Sequence, residues 1–193
     1  MQNTKYWFYA PGFISFADDI FEELYTHKEH WFPERKMFMY GKEVTLKRKS
    51  CVFSDLQLPL KDQDAEKIKI YGMDAHDWSE SKQIIKLREF LKDQLKIQFD
   101  YCLTHLYPDE NAAISWHYDR EALKTPIVSI SLGDSRKFRL KPKNSSVHTD
   151  EYVLNHGDMF VMKVGCQQNY LHCVPKETDK KGPRINLTLR KFE

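Results

Sequence analysis

The stretch Gly182-Pro183-Arg184-Ile185-Asn186-Leu187-Thr188-Leu189-Arg190 decides the fold, because it alternates between apolar and polar residues without a slip. Side chains on a strand have a period of two, so Ile185, Leu187 and Leu189 share one face and Arg184, Asn186, Thr188 and Arg190 share the other. The apolar face asks for a covering layer. The polar face is either an edge washed by solvent or the inner wall of a barrel. Working back from this strand, β texture fills 100–107, 113–119, 127–132, 137–141, 151–154, 159–163, 170–174 and 185–192. Eight short strands at regular spacing, with turns at Leu132-Gly133-Asp134 and His156-Gly157-Asp158, predict a sandwich or jelly roll.

The covering layer is sought further upstream. Between Ser15 and Glu29 a helical period carries Phe16, Ile20 and Leu24, with Asp18 and Asp19 in the first turn where the helix dipole favours acids. A second helix follows Ser79, its expected cap, with Ile84, Leu87, Leu91 and Leu95 at spacings of three and four. Between them, 36–70 is Lys-rich and β-leaning, and Lys67-Ile68-Lys69-Ile70-Tyr71 alternates like an exposed strand. The expected class is therefore α+β and β-rich, with helices in front of a sandwich. At 193 residues and 41% hydrophobic the chain suits one domain over 1–193. Its formal charge of +2 excludes a protein that works by bulk charge. The N-terminus lacks a signal-peptide pattern and no apolar run reaches membrane length, so a cytosolic or nuclear monomer without a membrane partner is expected. Cys51, Cys102, Cys166 and Cys173 form no CxxC pair and are read as reduced thiols.

The chemistry concentrates in Ile114-Ser115-Trp116-His117-Tyr118-Asp119. Strand alternation would put Ser115, His117 and Asp119 on one face, so that an imidazole and a carboxylate hold adjacent positions on a metal. His172, in Asn169-Tyr170-Leu171-His172-Cys173, can complete a facial triad that leaves three positions open, a set suited to non-haem Fe(II) oxygenases. If the polar face of 184–190 looks inward, Arg184 and Arg190 stand about 20 Å apart at ~3.3 Å per residue and can lean together on a short diacid. Asn186 and Thr188 lie between them.

With these residues in this order, the sequence resembles the AlkB-type 2-oxoglutarate and Fe(II) dependent dioxygenases over nearly its whole length. The likeness rests on His117-x-Asp119, His172, the Arg184-x-Asn186-x-Thr188-x-Arg190 ending, Ile127-Val128-Ser129-Ile130-Ser131-Leu132-Gly133 and the His156-Gly157-Asp158 turn. It implies a double-stranded β-helix core over 99–193, and helices with a nucleotide-recognition lid over 1–98. It also implies His117, Asp119 and His172 as iron ligands, Arg184 and Arg190 as partners of the 2-oxoglutarate carboxylates assisted by Asn186, and O2 as co-substrate. The family's Asn-x-Tyr pair falls on His105 and Tyr107. Tyr107 fits, whereas His105 departs from the pattern and reads equally as a core histidine or a co-substrate contact.

The family resemblance also implies the substrate: a base alkylated on its Watson–Crick edge, such as 1-methyladenine or 3-methylcytosine, in DNA or RNA, from which formaldehyde is released. Such a base must leave its stack and enter a pocket with aromatic walls and a basic rim. Phe53 in Cys51-Val52-Phe53-Ser54-Asp55, Tyr71 and Arg48 in Lys47-Arg48-Lys49 are the candidates, with a covering role for the aromatics and a solvated strand end for the basic run as the bland alternatives. Glu121 would accept a hydrogen bond from an exocyclic amine and Arg120 would reach phosphate. The same iron site acting on a small molecule or a protein side chain is the rival reading. An idle nucleic-acid binder has no need of metal ligands or arginines, and a tetrahedral zinc hydrolase suits the ligand set less well.

Overall fold

Helices on one side and a second sheet on the other answer the two faces of the C-terminal strand. The computed structural model describes residues 1–34, 36–39, 41–55, 69–147 and 150–192. The chain begins with β1 (Gln2–Asn3), β2 (Trp7–Ala10), α1 (Ala17–Thr26) and α2 (Lys28–Trp31), followed by β3 (Lys36–Met39), β4 (Lys42–Thr45) and β5 (Lys49–Ser54). Next come β6 (Lys69–Ile70), β7 (Met73–Asp74), β8 (His76–Asp77) and α3 (Lys82–Leu95). The second half holds β9 (Tyr101–Tyr107), β10 (Ile114–His117), β11 (Ile127–Gly133), β12 (Arg136–Pro142), β13 (Asp150–Leu154), β14 (Met159–Met162), α4 (Cys166–Asn169), β15 (Tyr170–Val174) and β16 (Arg184–Arg190). Each strand expected after Phe99 is present. Lys67 and Ile68 of the upstream alternating run lie outside the described residues, and Lys69–Ile70 pairs with Met73–Asp74 as a short hairpin.

The large sheet runs β1-β2-β14-β11-β16-β9-β5-β8, and the smaller one β10-β15-β12-β13. All seven residues of β16 are buried, so neither face is a wet edge. Its apolar face packs with Ile20 and Leu24 of α1, Ile84, Leu87 and Leu91 of α3, and Val128, Ile130 and Leu132 of β11. Between the two sheets a second cluster joins Trp7, Tyr107, Ile127, Phe160 and Met162 to Phe138, Leu140, Tyr152, Leu154 and Val174. At roughly 1.5–3 kcal/mol for each large apolar side chain fully buried, these two layers dominate the favourable side of folding.

Two local expectations are corrected. Ser81, not Ser79, caps α3, accepting from the backbone N–H of Ile84 at 3.1 Å. Ser79 is already inside a 3-10 turn, Trp78–Glu80, closed by its own capping box: Asp77 accepts from the Ser79 N–H and Glu80 from the Asp77 N–H, each at 2.8 Å. The alternation across β10 also fails. Its pairing with β15 shifts register between Ile114 and His117, a β-bulge, which leaves Ser115 exposed while Ile114 and His117 both line the inner cavity. Gly133 closes β11 at φ +82, where a Cβ would fall 2.4 Å from the Pro183 carbonyl and 2.6 Å from the Phe21 ring. Only glycine lets α1 and the start of β16 approach the strand end there. All four cysteines are buried free thiols. Among the described residues no helix is long and apolar enough to cross a membrane.

Candidate active site

A pocket opens between the sheets, lined by the polar face of β16 and by residues of β9, β10, β11 and β15. At one end His117, Asp119 and His172 each offer a ligand atom, all within 4.8 Å of one another. The bulged pairing of β10 with β15 sets His117 directly opposite His172, and their ring centroids are 4.2 Å apart. Asp119 follows in extended backbone at the start of a short 3-10 turn, Arg120–Ala122.

The protonation of each group follows from its surroundings. Nδ1 of His117 lies 2.7 Å from the Ser115 carbonyl, which can only accept; Nδ1 therefore carries a proton there, and Nε2 is the ring nitrogen left for a metal. Burial drives His172 down to about 3, so its imidazole is neutral, although Asp119, 3.6 Å from its Nε2, pulls the other way. Burial also pushes the Asp119 carboxyl up, but the charge and hydrogen bond of Arg190 act against it, and the group is held below the usual carboxylate value. A neutral His172 and an ionised Asp119 result, with His117 beside them.

Arg190 and Arg184 stand at opposite ends of β16 and differ in their company. Arg190 donates to Glu121 Oε1 at 2.6 Å and to the Tyr71 hydroxyl at 3.2 Å, and pairs with Asp119 Oδ1 at 3.2 Å. Burial works against its charge, yet Asp119, Tyr71, Tyr101 and Glu121 together raise it above the ordinary guanidinium value. Arg184 is 1% exposed and donates from Nη2 to Ser131 Oγ at 2.8 Å, while its Nε and Nη1 have no hydrogen-bond partner among the described residues. With no carboxylate at hand, burial lowers it to about 10. An unpaired guanidinium this deep is costly unless an anion joins it.

A model of the 2OG-Fe(II) oxygenase superfamily matches residues 9–190. The chain belongs to that superfamily, in its AlkB-type branch. It is 30% identical over 118 residues to the alpha-ketoglutarate-dependent dioxygenase alkB homolog 3 of Bos taurus, covering 55% of this chain and 41% of that one. It is 27% identical over 191 residues to the DNA oxidative demethylase ALKBH2 of Bos taurus, covering 91% of this chain and 64% of that one. It thus spans less than two thirds of either relative. The solved structure of OsALKBH1 shares the fold, with a TM-score of 0.66 at 18% identity over 99% of this chain and 100% of that one.

Fe(II), 2-oxoglutarate and O2 are the superfamily's cofactor set, and this AlkB-type chain has the groups to receive it. Among the described residues Asp119 Oδ2 is buried and without a hydrogen-bond partner, as a metal-facing oxygen should be, and the two unpartnered nitrogens of Arg184 suit a carboxylate. A second cluster, His30, His76 and Glu80, also has metal-ligand spacing, but His30 and Glu80 are exposed and none of the three lines the pocket.

The other expected site residues are distributed unevenly. His105, Tyr107, Asn186 and Arg48 line the pocket, and Tyr107 lies under the Arg184 guanidinium at 5.1 Å from its ring centroid. Asn186 has both amide protons engaged, by Ser129 Oγ at 2.8 Å and the Ile130 carbonyl at 2.9 Å. Glu121 and Tyr71 meet at the metal end, with the Tyr71 hydroxyl donating to the Glu121 carboxylate. Phe53 is fully buried in the helix–sheet core against Trp31, away from the pocket, and Arg120 is exposed. Sequence reasoning missed Ser129, Ser131, Gln167 and Ser50. Gln167 is 2% exposed and accepts from the Asp119 backbone N–H at 3.0 Å, fixing the carboxylate's approach from α4. Nothing in Cys166-Gln167-Gln168-Asn169 marks it. The serines were legible in principle, since Ser129 and Ser131 oppose Thr188 and Asn186 across the strand pair.

Proposed function

We propose that this chain is a dioxygenase that oxidatively demethylates alkylated bases in DNA or RNA, with His117, Asp119 and His172 holding Fe(II) and Arg184 receiving the far carboxylate of 2-oxoglutarate. One observation carries the reading: a triad of two imidazoles and one carboxylate shares a pocket with a buried guanidinium that has no carboxylate partner among the described residues. Bound there, the iron with 2-oxoglutarate and O2 supplies an oxidant strong enough to hydroxylate a C–H bond, leaving succinate and CO2. Hydroxylation of an N-methyl group gives an unstable product that releases formaldehyde.

The chain's own residues do the rest. The Ser115 carbonyl holds the His117 tautomer, Gln167 and Arg190 hold Asp119, and Tyr107 and Ser131 orient the Arg184 fork. Glu121 beside the metal end is the acceptor for an exocyclic amine, with Tyr71 closing over it and Arg48 on the wall. In this reading 99–193 form a double-stranded β-helix core, and 1–98 supply the covering helices and lid. Purified iron-loaded protein, given 2-oxoglutarate and an oligonucleotide bearing 1-methyladenine or 3-methylcytosine, should release formaldehyde and succinate in equal amounts. The burial of Phe53 removes one expected aromatic wall and favours a second reading, hydroxylation of a small molecule or a protein side chain. Succinate formed while the methylated base persists selects that reading, and absence of both products refutes each of them.

A further inference from the structure

Ser50, His105 and Asn186 form one row across β5, β9 and β16, since Ser50 and Asn186 are the strand partners of His105 on its two sides. Ser50 Oγ lies 2.7 Å from His105 Nδ1, leaving Nε2 as the ring's other polar atom in a residue that lines the pocket. Asn186 Nδ2 already donates to Ser129 Oγ and to the Ile130 carbonyl, which makes His105 the member of the row with a ring nitrogen left for an anion.

A neutral imidazole can satisfy Ser50 in two ways. With the proton on Nδ1 it donates to the serine and presents a lone pair at Nε2, which repels a carboxylate. With the serine donating to Nδ1, the proton sits on Nε2 and the ring offers an anion a hydrogen bond. We propose that Ser50 is a positioning residue that fixes His105 in the Nε2–H tautomer, making the imidazole a neutral donor to a carboxylate of 2-oxoglutarate. This rests on the co-substrate reading given above. The ring stays neutral because burial, helped by Arg48, Arg190 and Arg184, lowers its pKa well below the ordinary value.

Protein loaded with closed-shell Zn(II) in place of iron and labelled with 15N-histidine tests this by NMR and by calorimetric titration with 2-oxoglutarate. The complex should show a protonated Nε2 and a bare Nδ1 on His105. Ser50→Ala should weaken 2-oxoglutarate binding roughly threefold to tenfold, the range that one hydrogen bond is worth. His105→Asn should bind within about threefold of the wild type, and adding Ser50→Ala to it should cost nothing more, because an amide donor has no tautomer to fix. A packing role for Ser50 would instead give the same penalty in both backgrounds and would overturn the inference, as would an Nδ1–H ring in the complex. Absence of 2-oxoglutarate binding by the wild type overturns the function proposed above together with this inference; binding with the wrong tautomer overturns the inference alone.

Discussion

Replacing Arg184 with methionine should separate stability from co-substrate binding. Two of its N–H groups are buried without partners, and each such group costs about 1–3 kcal/mol. Against this roughly 2–6 kcal/mol stands the charged hydrogen bond to Ser131 at 2.8 Å, worth about 1.5–3 kcal/mol. The Tyr107 ring at 5.1 Å adds about 0.5–2 kcal/mol through its attraction for the cation. The two sides nearly cancel. Arg184→Met, which keeps most of the volume, should therefore change the stability of the ligand-free protein by less than about 2 kcal/mol in either direction. The wild type, by contrast, should gain about 2.7 kcal/mol when 2-oxoglutarate stands at a hundred times its Kd. Loss of a buried charge pair costs about 2–5 kcal/mol of affinity, so at the same concentration the variant should keep less than about 1 kcal/mol of that gain. Denaturant unfolding of Zn(II)-loaded protein, with and without 2-oxoglutarate, measures both quantities. A variant destabilised by more than about 3 kcal/mol that still responds fully to the ligand would show that Arg184 is a structural residue and not the receiver of the carboxylate.

Arg190→Met should behave in the opposite way. It strips Asp119 and Glu121 of a cation that is itself 4% exposed, a loss of about 3–5 kcal/mol in metal-free protein, partly restored by a divalent ion beside Asp119, and a calorimetric change below about 1 kcal/mol would refute it. The pH dependence follows from the neutral histidines. His172 and His105 have folded pKa values below their unfolded ones, so the unfolded chain takes up protons first as pH falls from about 6.5, and metal-free stability should decline toward pH 3 by up to about 1.4 kcal/mol per pH unit for each ring. Urea unfolding between pH 7 and 4 that shows flat or rising stability would contradict the neutral assignment.

The parts of this molecule that obey a simple period were legible in the sequence. The alternation of β16 gave both of its faces, and the three- and four-residue spacing in 82–95 gave the buried stripe of α3. His117, Asp119 and His172 could be picked out because few residue types ligate metals, and the two-residue step from His117 to Asp119 does bring both to the pocket, whereas the bulge before His117 turns Ser115 out of that face. What stayed hidden depends on contacts between distant segments. Arg190 is committed to Asp119 and Glu121, and no pattern in Arg184-x-Asn186-x-Thr188-x-Arg190 distinguishes its two arginines. Phe53 sits opposite Cys102 on β5, and whether that position faced helices or substrate depended on which side of the large sheet the helices took.

The surplus residue in β10 turns inside and outside into a question of parity. Ile114 and His117 are an odd number of positions apart, yet both look inward, so chain on either side of the irregularity follows opposite bookkeeping of left and right. Ser115 itself is exposed, and what it gives His117 is a main-chain carbonyl. Between Ile114 and His117 this strand takes three steps while its neighbour takes two from Val174 to His172, and the bulge absorbs the difference. Without the extra link the two residues would share the inner side by plain alternation; with it, only the irregularity keeps the imidazole facing its partner ring.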